Sequence, residues 1–436
     1  LIQKKYKRKD LLTMEFKRVY KYLIGLSAGA LLVACSPDNG AVDEAEAPTE
    51  EVTDETAAEE ITPKDEKTDE QATDETATDE TKETADTAET SHQIDWEKIG
   101  ELPAPDGYDE NIGVAGIIGG VIDGKIVTGG GANFPDGPPT EGGEKVIHKD
   151  LYLFDVENGE INVLDQISYE HGLGYGASVV HEDTLYYVGG GETPETSADV
   201  LAITTENDKL QVEKIGELEV PFENGIAEYH DGKIYYGVGK LDGEASSDFY
   251  AFDVESGENT LLAAFPGEAR SQSVSEIFGN EIVVFGGGSS VTYQDGYRYN
   301  IEEDAWEELA NVAIDGQEIS VLGADSTKIS DTEMLVVGGF DEEVWNRVNA
   351  DLADLEGEEK DAYMKEYYSH PVEYYNWNKQ MLVYNIETDE WTTLGEISFD
   401  APAGAALLKD GENVYSIMGE IKPTVRTPNI YQGILQ

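Results

Sequence analysis

The stretch Met418-Gly-Glu-Ile-Lys-Pro-Thr-Val-Arg-Thr427 gathers chemistry that is scarce elsewhere in this chain. Glu420 follows the glycine that closes a β-rich run, so its carboxylate projects from a strand end into a loop. Lys422 and Arg426 follow within the same loop. A carboxylate beside a guanidinium can move a proton while the guanidinium grips an anion through a two-pronged contact. The same residues can equally close the loop as a structural ion pair. Arg270, in Phe265-Pro-Gly-Glu-Ala-Arg270, is a second candidate anion contact, with a pair to Glu268 as its alternative. Asn133, Glu192 and His171 are polar residues near strand-end loops, placed either to touch substrate or to cap turns.

Other chemistries lack their residues. The six histidines form no His-x-His or His-Glu-x-x-His pattern, so neither a metal nor any other cofactor is expected. Cys35 is the only cysteine, which excludes an intramolecular disulfide and a cysteine-ligated metal site. There is no Gly-x-Ser-x-Gly elbow. Copper-radical oxidases need a cysteine crosslinked to tyrosine, and sialidases carry Asp-box turns with three arginines. Beyond residue 91 there are four arginines, Arg270, Arg298, Arg347 and Arg426, and no Asp box.

The elements that must position these groups repeat along the chain. Six β-rich stretches end in glycine: Lys125–Gly130, Leu185–Gly190, Ile234–Gly239, Ile282–Gly287, Met334–Gly339 and Val414–Gly419. β-Branched and aromatic residues bounded by glycine read as buried strands followed by tight turns. Their last glycines are spaced 60, 49, 48, 52 and 80 residues apart. A period of about 50 residues is that of kelch blades. The expected fold is therefore all-β, a six-bladed kelch-type β-propeller. The segments at 93–99 and 429–436 read as its first and last strands, and pairing them closes the ring and removes two exposed edges. Small residues at Gly113–Gly116, Gly172–Gly176 and Ala403–Ala406 open the units, where innermost strands crowd an axis. Residues 341–373 stretch one unit. Trp345, Val348, Leu352 and Leu355 recur at helical spacing, and Tyr363–Tyr368 reads as a further helical turn. Such an insertion serves as a lid or as a structural collar.

The ends carry a different message. Lys17, Arg18 and Lys21 precede an apolar run from Leu23 to Val33, which ends in Leu32-Val-Ala-Cys35. This is the pattern of a bacterial lipoprotein signal with Cys35 as the lipid attachment site. Met14 stands where such a signal begins, so residues 1–13 read as lying upstream of it. Residues 36–92 are rich in Asp, Glu, Thr and Ala without apolar periodicity, and read as an acidic disordered tether. The expected organisation is thus 1–35 signal, 36–92 tether and 93–436 propeller, lipid-anchored to the bacterial membrane and facing the exterior. The formal net charge is −62, which excludes nucleic acid as a partner.

Several of these segments together resemble the N-acetylneuraminate epimerase family, the sialic acid mutarotases, in a cyclically permuted branch. The resemblance rests on Ala403-Gly-Ala-Ala406 through Gly419-Glu-Ile-Lys-Pro-Thr-Val-Arg-Thr427, on Asn378-Lys379 before Leu382-Val-Tyr-Asn385, and on Ala264–Arg270. Gly113-Val-Ala-Gly116, Gly129-Gly-Gly-Ala132 and the helical insertion also match. It implies interconversion of the α and β anomers of a small acidic sugar, sialic acid. It implies Glu420 as proton acceptor acting with Arg426; the expected substrate contacts are Arg270, Lys422, Asn378, Asn133 and Glu192. Three positions depart from the family pattern. Met418 replaces a frequent asparagine, Thr424 a frequent glycine, and Leu173 an arginine of the unpermuted branch. Fewer cations are then left to hold the anion. A non-catalytic cell-surface propeller that binds a glycan or protein is the alternative reading.

Overall fold

A computed structural model describes residues 92–191 and 196–436. The signal, residues 36–91 of the tether, Cys35 and Glu192 lie outside the described residues.

Each glycine-ended stretch supplies the second strand of a four-stranded antiparallel sheet. The first sheet comprises Ala115–Ile122, Lys125–Asn133, Asp150–Glu157 and Glu160–Ser168, with the short Val146–Ile147 beside its second strand. The next four sheets begin at Ala177–His181, Ile226–His230, Val274–Phe278 and Asp325–Lys328, and each runs in chain order. The sixth takes Ala406–Asp410, Asn413–Ile417 and Asn429–Leu435, and completes itself with Ile94–Glu101 from the other end of the domain. Ile94 pairs with Leu435 and Glu101 with Asn429. Hairpin turns such as Asp123-Gly124 and Asp231-Gly232 join first and second strands, and both residues of each take positive φ, as short hairpins require.

The first strands of successive sheets touch, and the first strand of the sixth touches that of the first. One residue at or just ahead of the start of each contributes to a cycle of backbone hydrogen bonds. Gly116 donates to Gly404, Gly404 to Gly323, Gly323 to Gln272, Gln272 to Asn224, Asn224 to Tyr175, and Tyr175 back to Gly116, at 2.7–3.1 Å. All six have φ between 54° and 74°. This left-handed region is open to glycine and disfavoured for Tyr175 and Gln272. Apolar side chains fill the gaps between sheets. Phe154, Ile417 and Ile430 pack between the first and sixth, and Phe285, Tyr384 and Trp391 between the fourth and fifth.

The stretched unit is helical, as its spacing predicts. Helix α1 spans Glu342–Ala353 and buries Val344, Trp345, Val348 and Leu352. Asp341 caps it, accepting from the Val344 N–H at 2.9 Å. Helix α2, Gly357–Ser369, is longer than the single turn read from Tyr363–Tyr368, and Leu355 lies between the two helices. The Asn376 side chain donates to Asp341 at 2.7 Å, drawing the two ends of the insertion together. Trp345 Nε1 reaches Ser289 O of the fourth sheet's loop at 3.2 Å, while α2 touches the Pro139–Glu141 turn of the first sheet. The insertion therefore spans loops of several sheets on one side of the molecule.

Candidate functional site

Glu420 and Arg426 face each other across a tight two-stranded ribbon, Glu420–Lys422 against Val425–Arg426. Gly419, with φ of 106°, lets the chain enter this ribbon, and a Cβ there would stand 2.8 Å from the Pro402 side chain. Ala403 clamps the base, exchanging two backbone hydrogen bonds with Glu420 at 2.8 and 2.9 Å.

Both side chains are buried, Arg426 at 2% exposure and Glu420 at 4%, with Nη1 standing 2.9 Å from Oε1. The Nη1 hydrogens are not aligned for a hydrogen bond, so charge rather than a directed bond holds the pair. Thr424 donates its N–H to the same Oε1 at 2.7 Å. Arg426 Nε donates to Ala132 O at 3.2 Å, and its guanidinium lies 4.8 Å from the Phe134 ring centre. Among the described residues no hydrogen bond engages Glu420 Oε2 or Arg426 Nη2. A carboxylate oxygen and a guanidinium nitrogen of this pair are thus without hydrogen-bond partners. Removing either partner would strand the other as a buried charge, at a cost of about 3–5 kcal/mol.

Tyrosines from the insertion complete the surroundings. Burial pushes the Tyr368 phenol up, and the Glu420 carboxylate adds to the shift while Arg426 opposes it. Burial also raises Tyr367 and Tyr375, with smaller contributions from neighbouring tyrosines and from Glu420. These phenols stay protonated, so each keeps an O–H to donate.

The other expected site residues are committed elsewhere. Lys422 Nζ donates to Tyr368 O at 3.2 Å and His370 O at 2.7 Å, so it holds the C-terminal end of α2. Arg270 is fully buried in a two-pronged pair with Asp295, with Nη2 at 3.0 Å from Oδ2, and its Nε donates to Glu268 O at 2.8 Å. Its carboxylate partner is therefore Asp295 rather than Glu268, and Tyr293 stacks 4.1 Å from the guanidinium. Asn133 donates to Gly113 O at 2.8 Å and accepts from His148 Nε2 at 2.8 Å. Burial lowers the His148 pKa, with Asp150 opposing. Asn378 accepts from the Gln380 N–H at 3.0 Å, just ahead of the third strand of its sheet, Gln380–Asn385. His171 is exposed, 3.9 Å from Asp199. Sequence reading missed Phe134, Thr424 as a donor, and Tyr368. An aromatic placed directly after Gly129-Gly-Gly-Ala-Asn133 was the available signal for Phe134.

A sequence model of the N-acetylneuraminate epimerase family matches residues 216–436, just over half of the chain and all of the Glu420–Arg426 ribbon. The chain belongs to the N-acetylneuraminate epimerase family. Relatives include the N-acetylneuraminate epimerase of Salmonella typhi, 28% identical over 244 residues, 54% of this chain and 61% of the relative. That of Yersinia enterocolitica is 29% identical over 252 residues, 55% of this chain and 62% of the relative. The match thus spans about three fifths of the length of these curated relatives. Among solved structures, that of YjhT is similar at 25% identity, covering 50% of this chain and 65% of the other, with a TM-score of 0.44. Arg270, Asn378 and Lys422 also fall inside the matched segment of this family member, whereas Asn133 and Phe134 fall outside it.

Proposed function

We propose that this protein is a mutarotase that interconverts the α and β anomers of N-acetylneuraminic acid. The observation that carries the reading is the buried Glu420–Arg426 pair with Oε2 and Nη2 left open. Glu420 Oε2 takes the proton of the anomeric hydroxyl. As the ring oxygen gains a proton, the bond from the anomeric carbon to that oxygen breaks and a carbonyl forms. Rotation about the adjacent carbon–carbon bond exposes the other carbonyl face, and the reverse proton movements reclose the ring. No proton is consumed overall. Arg426 Nη2 holds the carboxylate attached to the same carbon, which limits how the carbonyl turns. A protonated phenol such as Tyr368 suits donation towards the ring oxygen.

The six sheets are read as blades of a closed kelch-type propeller, supported by the cycle of backbone hydrogen bonds and the pairing of the terminal strands. The lipoprotein-type segment ending at Cys35 supports action at the outer face of a bacterial membrane. A non-catalytic sugar-binding propeller is the second reading, favoured by the hold that Thr424 and Arg426 already have on Glu420 Oε1.

The test is proton NMR of anomer exchange, with the α anomer released in situ by a sialidase near neutral pH. The protein should speed the appearance of the β signal, and Glu420→Gln and Arg426→Ala should each slow it by at least about 100-fold. An exchange rate equal to that without protein, from folded material, would favour the binding module.

A further inference from the structure

The Arg426 guanidinium rests on a tripeptide from another sheet. It donates from Nε to Ala132 O at 3.2 Å and lies 4.8 Å from the Phe134 ring centre. Ala132-Asn133-Phe134 follows Gly129, Gly130 and Gly131, all at positive φ, so no side chain stiffens the approach to it. Its place must be imposed by neighbours.

Asn133, in the middle of the tripeptide, carries that constraint. It is 2% exposed. Its Nδ2 donates to Gly113 O at 2.8 Å, and its Oδ1 accepts from His148 Nε2 at 2.8 Å. With the amide nitrogen committed as a donor, the amide oxygen must accept, which puts an imidazole hydrogen on Nε2. His148 is itself buried. Its backbone N–H donates to Gly131 O at 2.8 Å, and the Tyr108 ring stands edge-on 5.2 Å away. Gly113, at the far side of the Asn133 amide, lies against the base of the ribbon. A Cβ on Gly113 would overlap Thr427 O, and the adjacent Val114 O accepts the Gly419 N–H at 2.9 Å. The contacts therefore close a circuit. It runs from Arg426 to Ala132 and Phe134, through the Asn133 side chain to Gly113, and by way of Thr427 back to Arg426.

We infer that His148 and Asn133 are positioning residues for Arg426, a buried hydrogen-bonded brace that holds its guanidinium in place beside Glu420. Neither side chain touches the sugar. The consequence for rate rests on the mutarotase reading, whereas the brace itself rests on the geometry alone. A guanidinium displaced by about 1 Å presents the sugar carboxylate in the wrong orientation, a fault that can cost up to about 100-fold in rate. Such a fault lowers kcat more than it raises KM.

The test follows the Arg426 Nε–H by nitrogen-15 NMR of the full chain, its resonance assigned by its loss in Arg426→Lys. In the wild type this hydrogen should exchange slowly with water, and His148 should carry its hydrogen on Nε2. His148→Leu should speed exchange of the Arg426 Nε–H by about ten-fold or more and lower kcat for anomer exchange by about ten-fold, with KM within about two-fold. His148→Gln, which can still offer a side-chain N–H, should recover most of both. In an Arg426→Lys background there is no Nε–H to hold, so His148→Leu should cost less than about two-fold. An equal loss in both backgrounds, or an unchanged Arg426 Nε–H in folded His148→Leu, would overturn the inference. Should His148→Leu fail to fold, a wild-type imidazole with its hydrogen on Nδ1 alone would overturn it as well. The expected change in the Arg426 Nε–H, from a wild type that shows no anomer exchange, would remove the mutarotase reading and leave the brace standing.

Discussion

Thr424 and Met418, two of the departures from the family pattern, share one backbone peculiarity. Their φ angles are 70° and 56°, in the region where glycine is free and asparagine is tolerated. The glycine and asparagine usual at these positions therefore have a conformational reason. Here a β-branched residue takes the strain in order to aim its N–H at Glu420 Oε1. Thr424→Gly keeps that donor and should raise stability by about 1 kcal/mol, seen as a higher Tm with anomer exchange unaltered. A lower Tm would show that the threonine side chain contributes more than its backbone costs. At this scale the sequence was legible where partners are close along the chain. Glu420 and Arg426 meet because a hairpin puts them in register. Ala132 and Phe134, their other neighbours, come from the first sheet, and no local pattern announces that meeting. Arg270 illustrates the same limit, since Glu268 is adjacent in sequence but Asp295 is adjacent in space.

The insertion is the element that distinguishes one sheet from the other five. Its first helix was legible because Trp345, Val348 and Leu352 recur at the helical period and are all buried. Its second was under-read, since burial there is limited to Met364, Tyr367 and Tyr368, too sparse a pattern to define the helix length. Lys422 ties the end of this helix to the Glu420–Arg426 ribbon, supplying donors to carbonyls that have no partner within the helix. Lys422→Met should loosen α2 by about 1 kcal/mol. Hydrogen exchange across 357–376 should then quicken by about five-fold, with the strands of the second and third sheets unchanged. Exchange equal to the wild type would show that packing of Tyr367 and Tyr368 alone fixes the helix. Because Tyr368 borders Glu420, the same variant should also lower the exchange rate of the sugar.

The whole molecule carries a further electrostatic feature on its innermost strands. Burial pushes Glu228 up to about 7, against the Ser275 hydroxyl and Lys328. Burial likewise lifts Asp325 to about 6, against the Leu407 and Ser326 N–H groups. Glu276 is raised by burial first and then by the charges of Glu228 and Asp325, with Lys328 opposing. Each folded-state pKa lies above its unfolded value, so the folded form holds extra protons between about pH 3.8 and 7. Their contribution to stability is complete below that window and is lost as pH rises through it. Melting curves should show Tm falling from pH 5 to pH 8. Glu276→Gln should raise Tm at pH 8 by more than at pH 5. A Tm that rises with pH would refute this assignment. The repeat that organises these strands was readable from glycine spacing, because every second strand obeys the same packing demand. The side-chain links between neighbouring first strands, such as Ser275 to Glu228 at 2.7 Å, belong to tertiary register and left no trace in that period. The union of Ile94–Glu101 with Asn429–Leu435 also has a consequence in time. During synthesis the first of these strands leaves the ribosome before any other strand of the domain, and its partner leaves last. Throughout that interval its pairing edge is bare, open to a neighbouring nascent chain that offers the same sequence. A chain cut short before residue 429 leaves the opening strand with nothing to pair with, so the fate of this domain is decided only when its final strand emerges.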